Sequence, residues 1–175
     1  MKRRAGWAMA LFSLPGITSC AFEDDKYAVP DRVCGVPMRE EVVRALLTDG
    51  EELTQRGHAL PVQWDNCTLE VDGDPEVRIT FSREKKFHHP LEEYSEKFNN
   101  GEDIALEFTG KGGVDSDDAV IIAKCGLAER PYVIGKVSLA PPYGTPRTAP
   151  PADVSRFLVD YMAGALQELE CPSVK

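Results

Sequence analysis

Imidazoles, tryptophan and positive charge are all scarce in this sequence. It has 3 histidines and 2 tryptophans, and its 20 Lys+Arg stand against 29 Asp+Glu for a net charge of −9. That balance argues against a nucleic-acid-binding surface and against a polybasic membrane patch, both of which need clustered cations. No GxSxG, HExxH or P-loop spacing occurs, and no cysteine pair has the CxxC spacing of thioredoxin-like or zinc-ribbon sites. Internal repeats are absent, as is the alternating strand and helix order that builds a parallel sheet. What remains is a 175-residue chain with a 42% hydrophobic share, the composition of one globular domain with a core of its own.

The N-terminus has a pattern of its own. Lys2, Arg3 and Arg4 precede an apolar run, Ala5 to Ser19, which is too short to cross roughly 30 Å of hydrocarbon and is interrupted by Pro15-Gly16. The run ends in Ile17-Thr18-Ser19-Cys20, which resembles the lipobox of bacterial lipoproteins: an aliphatic residue, two small residues and the cysteine that is lipidated. That resemblance implies a signal peptide at 1–19, a diacylglyceryl (palmitate-type) anchor on Cys20, and a mature protein on the outer face of the cell membrane. Two acyl chains suffice for stable anchoring. Removal of residues 1–19 leaves 17 cations against 29 anions, a net charge of −12, so the mature domain is expected to stand off an anionic leaflet. Residues 20–33, acidic at Glu23, Asp24 and Asp25, read as the lipidated cysteine and its solvated tether, and residues 34–175 as a single globular domain.

Within that domain, Pro37 with Glu40 and Glu41 marks a helix N-terminus, Val42, Val43, Leu46 and Leu47 form its apolar stripe, and Asp49-Gly50 ends it. Residues 51–63 read as a loop with one edge strand. Cys67, Leu69 and Val71 alternate with polar residues, as do Val77, Ile79 and Phe81 after Asp72-Gly73-Asp74-Pro75, which predicts a hairpin with one buried face. Leu91 to Phe98 fits a short helix, Ile104 to Phe108 a short strand, and Gly110 to Asp118 a loop. Ala119 to Ala123 and Tyr132 to Leu139 read as the most central strands, and the proline-rich stretch 140–151 as a stiff connector. Val154, Phe157, Leu158, Tyr161, Met162, Ala165, Leu166 and Leu169 recur at steps of three and one, the wide apolar face of a long helix. Gly164 inside it implies a close backbone contact. The expected fold is α+β: a curved antiparallel sheet with two long helices packed on one face, stabilised by disulfides.

Setting Cys20 aside, the 5 cysteines leave an even set, Cys34, Cys67, Cys125 and Cys171, which in an exported chain reads as two structural disulfides. If the first and last helices run antiparallel on one sheet face, Cys34 pairs with Cys171 and Cys67 with Cys125; the competing pairing joins Cys34 to Cys67 and Cys125 to Cys171. With Cys20, Cys34-Gly35-Val36-Pro37, Cys67, Cys125 and the terminal Glu168-Leu169-Glu170-Cys171, the chain resembles an uncharacterised group of secreted lipoproteins from high-GC Gram-positive (actinobacterial) bacteria. The resemblance covers most of the mature chain and rests on spacing. It implies a surface lipoprotein and carries over no catalytic or binding residues.

Candidate chemistry is thin. His88-His89 and His58 are the only imidazoles, and Asp115, Asp117 and Asp118 lack the glycine and closing glutamate of a calcium loop, so no metal site and no cofactor are expected. Gly110-Lys111-Gly112-Gly113 lacks phosphate-loop spacing, and Glu92-Glu93, Glu168 and Glu170 read as exposed helix carboxylates. Asn66-Cys67-Thr68 matches a glycosylation triplet only by coincidence. Trp64, Phe87, Tyr94, Tyr132 and Tyr143 are core residues by default, with a binding surface as the alternative. The functional expectation is a lipid-anchored, non-enzymatic interaction module for an envelope partner; the alternative is a small-molecule or metal-binding lipoprotein that uses an open sheet face or His88-His89.

Overall fold

The computed structural model describes residues 27–57, 60, 64–98, 100–126, 129–139 and 147–172, with the backbone alone for Trp64 and Asp65. The signal segment, Cys20, residues 20–26 of the expected tether, His58 and Tyr143 lie outside the described residues. Among the described residues no helix is long and apolar enough to cross a membrane.

The chain runs β1 (Arg32–Val33), β2 (Val36–Pro37), α1 (Glu40–Arg44), β3 (Leu53–Gly57), β4 (Trp64–Val71), β5 (Asp74–Glu84), α2 (Pro90–Glu93), β6 (Glu102–Asp103), β7 (Gly110–Val114), β8 (Asp118–Lys124), β9 (Tyr132–Leu139) and α3 (Pro151–Glu168). Strands β3 to β9 form one seven-stranded antiparallel sheet in the order β3-β4-β5-β9-β8-β7-β6, and β1 and β2 form a separate hairpin. The alternation in β4 and β5 produces the expected hairpin. Val71 pairs directly with Asp74, and Asp72 and Gly73 turn the chain at φ 53° and 85°, the left-handed pair that matches strand twist in a two-residue loop. Strand β9 lies at the centre, between β5 and β8.

Helix α3 covers one face of this sheet. Val154, Phe157, Leu158, Tyr161, Met162, Ala165 and Leu166 are buried, and they meet Ala119, Ile121 and Ala123 of β8 and Val133 and Val137 of β9 in one core cluster. Each large apolar side chain buried here contributes about 1.5–3 kcal/mol. Two glycines let the layers close. At Gly135 of β9 a side chain would fall onto Met162, and at Gly164 a Cβ would stand 2.5 Å from Cγ1 of Val36. The close contact expected at Gly164 is therefore with the β1–β2 hairpin.

The expected α+β architecture with two long helices is corrected by a mostly β molecule with one long helix. Helix α1 has 5 residues, and the chain beyond it tightens into turns in which Leu46 and Leu47 donate to the carbonyls of Val43 and Arg44. Val42, Val43 and Leu46 are buried, but one and a half turns suffice to present them. A short apolar stripe specifies burial without specifying helix length. Residues 110–114, expected as a loop because of their glycines, are strand β7. Its glycines are sites of close approach: a Cβ on Gly112 would stand 2.9 Å from Ile121 and 3.0 Å from Ile104, and one on Gly113 would overlap Leu91. Ile104 to Phe108, expected as a strand, pairs with β7 only at its start, where the Ile104 N–H donates to the Gly112 carbonyl.

The disulfides are Cys34–Cys67 and Cys125–Cys171, with Cα–Cα distances of 5.8 and 4.5 Å, which overturns the favoured pairing of Cys34 with Cys171 and Cys67 with Cys125. The hairpin that carries Cys34 does reach the C-terminal half of α3, where Val36 meets Gly164 and Arg32 pairs with Glu168, but Cys34 itself is turned towards β3 and β4. Cys34 occupies the β1–β2 turn, at φ 53° beside Gly35 at 86°, and its N–H donates to Oε1 of Gln55 on β3 at 2.7 Å. Gln55 Nε2 donates in turn to the Arg32 carbonyl, so an edge strand holds the turn beside Cys67. Cys171 follows α3 and returns to the end of β8. Sequence separations of 33 and 46 residues correspond to about 4 kcal/mol of loop entropy each. Packing also begins before Cys34: Tyr27 donates to the Thr48 carbonyl at 2.6 Å and Val33 is fully buried, so residues 27–33 belong to the folded domain.

Candidate functional site

The side of the sheet away from α3 is the least finished surface of the described domain. Antiparallel register sets it out in rows across β5, β9 and β8: Arg78, Ser138 and Asp118; Thr80, Lys136 and Val120; Ser82, Ile134 and Ile122; Glu84, Tyr132 and Lys124. Side chains in one row lie about 5 Å apart, close enough to act together.

Half of this face is roofed by the chain that follows β5, residues 85–98, on its way to β6. Phe98 packs with Val120, Ile122 and Ile134 in a second, small core that also takes in Leu91, Tyr94 and Tyr132. Leu91 occupies the space that a side chain on Gly113 would need. Polar contacts complete the grip. Lys97 Nζ stands 2.8 Å from Oδ1 of Asp118, whose same oxygen accepts from the Ser138 hydroxyl, and Lys136 Nζ lies 3.9 Å from the centre of the Tyr94 ring. Tyr94 and His88 meet in a T-shaped contact, and Phe87, 46% exposed, tilts against Tyr132.

The other half, over β3, β4 and β5, carries no covering element among the described residues. Thr54, Arg56, Thr68, Arg78 and Thr80 project from it, and Arg56 is tied to the buried Glu70 at 2.9 Å. Where roof and open half meet there is a hollow of about 240 Å³ lined by Thr80, Ser82, Glu84, Tyr94, Ile134 and Lys136. A smaller space of about 30 Å³ continues past Tyr94 and Lys136 to Lys97 and Asp118. Among the described residues, the Thr80 and Ser82 hydroxyls and the Glu84 carboxylate have no side-chain hydrogen bond or ion pair. Polar groups at the base of a concavity with no protein partner are available to a ligand.

The residues singled out from the sequence are scattered over this framework. His88 and His89 lead into α2. His89 Nε2 faces Asp103 at 3.4 Å, while His88 Nε2 and His89 Nδ1 are buried without a hydrogen-bond partner. Among the described residues no three His, Cys, Asp or Glu side chains converge as a metal site would require. Asp115, Asp117 and Asp118 form the tight β7–β8 turn, in which Asp115 donates its N–H to the Asp118 carbonyl and accepts the Ser116 N–H on Oδ1. Partial burial, and next the charge of Asp118, raise the Asp117 carboxyl above its ordinary value. Glu92 and Glu93 lie in the first turn of α2, and Glu168 pairs with Arg32 at 3.0 Å. Of the three aromatics whose side chains are described, Phe87, Tyr94 and Tyr132, only Tyr94 lines the hollow.

Sequence reasoning missed Lys136, Thr80, Ser82 and Glu84. The signal was the polar side of the alternation in β5, but only strand order brings Lys136 next to Thr80. Ser82-Arg83-Glu84-Lys85 also matches an SxxK spacing, which serves acyl transfer where residues three apart share a helix face. Ser82 lies on β5 and Lys85 in the bend beyond its end at Glu84, so the two do not share a helix face and that chemistry is not assembled. No protein-family model, curated protein or solved structure matches this chain.

Proposed function

We propose that the protein is a lipid-anchored extracytoplasmic lipoprotein that works as a non-enzymatic interaction module, presenting the open half of its sheet to an envelope partner. The observation that carries this reading is the unequal covering of the sheet: α3 seals one face, while no described residue covers the polar rows over β3, β4 and β5, on a scaffold held by two disulfides. Disulfides fit an oxidising compartment, and the Ile17-Thr18-Ser19-Cys20 pattern supplies the anchor. The actinobacterial lipoprotein resemblance points the same way.

Two measurements test the two halves of the proposal. Intact mass spectrometry of membrane-extracted protein should find a chain starting at Cys20 with a diacylglyceryl increment; a mature chain without lipid removes the anchor. Crosslinking in intact cells followed by affinity capture should enrich one envelope protein, and a Thr68→Glu/Arg78→Glu variant should lose it. These two side chains lie on the open rows and outside the hollow. Enrichment unchanged in that variant would place the contact elsewhere.

A further inference from the structure

We infer that the hollow between Tyr94 and β5 is a binding site for a short zwitterionic peptide of two or three residues, with its carboxylate on Lys136 and its ammonium on Glu84. This goes beyond the partner reading and depends neither on the anchor nor on the open rows. The argument starts from charge. Lys136 and Glu84 line one concavity of about 240 Å³, yet they do not pair with each other or with any other described ionic side chain. A purely anionic ligand would meet Glu84, and a purely cationic one would meet Lys136. Only a molecule carrying both charges satisfies both ends, because an unpaired charge in a partly desolvated site disfavours binding.

Spacing sets the length. Lys136 is opposite Thr80 in the register, and Glu84 lies four residues further along β5, about 13 Å of strand. Two or three extended residues span roughly 7–10 Å, and the arms of Lys136 and Glu84 close the rest. A free amino acid falls short. Between the two ends, the Thr80 and Ser82 hydroxyls are free to bond a peptide amide, and Ile134 with the Tyr94 ring forms an apolar wall for small side chains. The site is ordered in advance, because Lys136 is already held over the Tyr94 ring. The hollow lies below the roughly 300–1,000 Å³ typical of drug-sized sites, in keeping with a ligand this small.

The test is isothermal titration of the full chain in detergent with L-alanyl-L-alanine, its N-acetyl form, its C-terminal amide and free L-alanine. Dialanine should bind, and each of the other three should bind at least about tenfold more weakly, since each loses one charge-assisted contact or the span between them. Lys136→Met should abolish the preference for the free carboxylate, and Glu84→Gln the preference for the free ammonium, with the thermal midpoint of each variant close to that of the parent. Absence of dialanine binding at about 10 mM, equal binding of free alanine, or selectivity unchanged in both variants would each overturn the assignment.

Discussion

The two faces of the sheet are built on different principles. Against α3 the contact is continuous and apolar: Phe157, Leu158, Met162 and Leu166 are fully buried, and Gly135 and Gly164 remove the side chains that would hold the layers apart. On the opposite face the described part of the crossover between β5 and β6 holds on through a small core around Phe98, the Lys97–Asp118 ion pair and ring contacts at Tyr94 and Phe87, and no described element covers β3, β4 and half of β5. Stability is concentrated on one side so that the other can carry polar groups that the fold itself does not satisfy. Unpartnered hydroxyls and charges are tolerable beside a hollow only because the domain does not depend on that side for cohesion.

The comparison can be broken by perturbing each face in turn. Phe157→Ala, on the helix side, should lower global stability by about 3–5 kcal/mol in denaturant unfolding; a loss below about 1 kcal/mol would mean that α3 is not the main support. Glu76 should matter almost as much. It sits where the β4–β5 register steps, is nearly fully buried, and pairs with Arg147 while Thr48 donates to it at 2.9 Å. Glu76→Ala leaves Arg147 without its buried partner, for an expected loss of about 3–5 kcal/mol measured in the same way. Cys125→Ser/Cys171→Ser, which frees the end of α3 from β8, should lower stability by about 2–4 kcal/mol in non-reducing buffer.

Leu91→Ala, on the roof, should behave differently. We expect amide exchange to accelerate at Val120 and Ile122 while Leu158 and Met162 keep their protection, with a local change of about 2 kcal/mol. Equal acceleration on both sides would show that the roof is integral to the global fold and erase the distinction. The smallest effect is expected at Asp117. Its folded carboxyl titrates above the unfolded one, so the folded state holds the proton more tightly and loses relative stability as pH rises through that range. Asp117→Asn should therefore raise the thermal midpoint slightly at pH 7, and the gain should vanish in acid, where the parent carboxyl is already protonated; a gain persisting there would assign it to packing.

Much of the architecture was legible where local pattern and burial agree. The three-and-one steps of α3, the Asp72-Gly73 turn and the engagement of all four interior cysteines in disulfides, though not which cysteine meets which, could be read from the chain because each is decided within a few residues or by simple parity. Helix α1 is shorter than its pattern predicts because an apolar stripe of four residues fits within about one and a half turns. Strand β7 was missed because glycine usually signals a loop; here Gly112 and Gly113 are glycine because Ile104, Ile121 and Leu91 occupy the positions of their missing side chains. The hollow was invisible for a related reason. Its lining comes from β5, β9 and the roof, segments more than fifty residues apart at the extremes that only strand order brings together.

By itself, then, the sequence determined the periodic elements, the tight turn, the acidic balance and the even set of cysteines, all of which follow from backbone propensity, side-chain period and charge. Tertiary structure decided which cysteines meet, where β7 lies and which polar side chains share a concavity. Those outcomes depend on register and layer contacts between distant segments, and a one-residue shift in register reverses which face every side chain occupies.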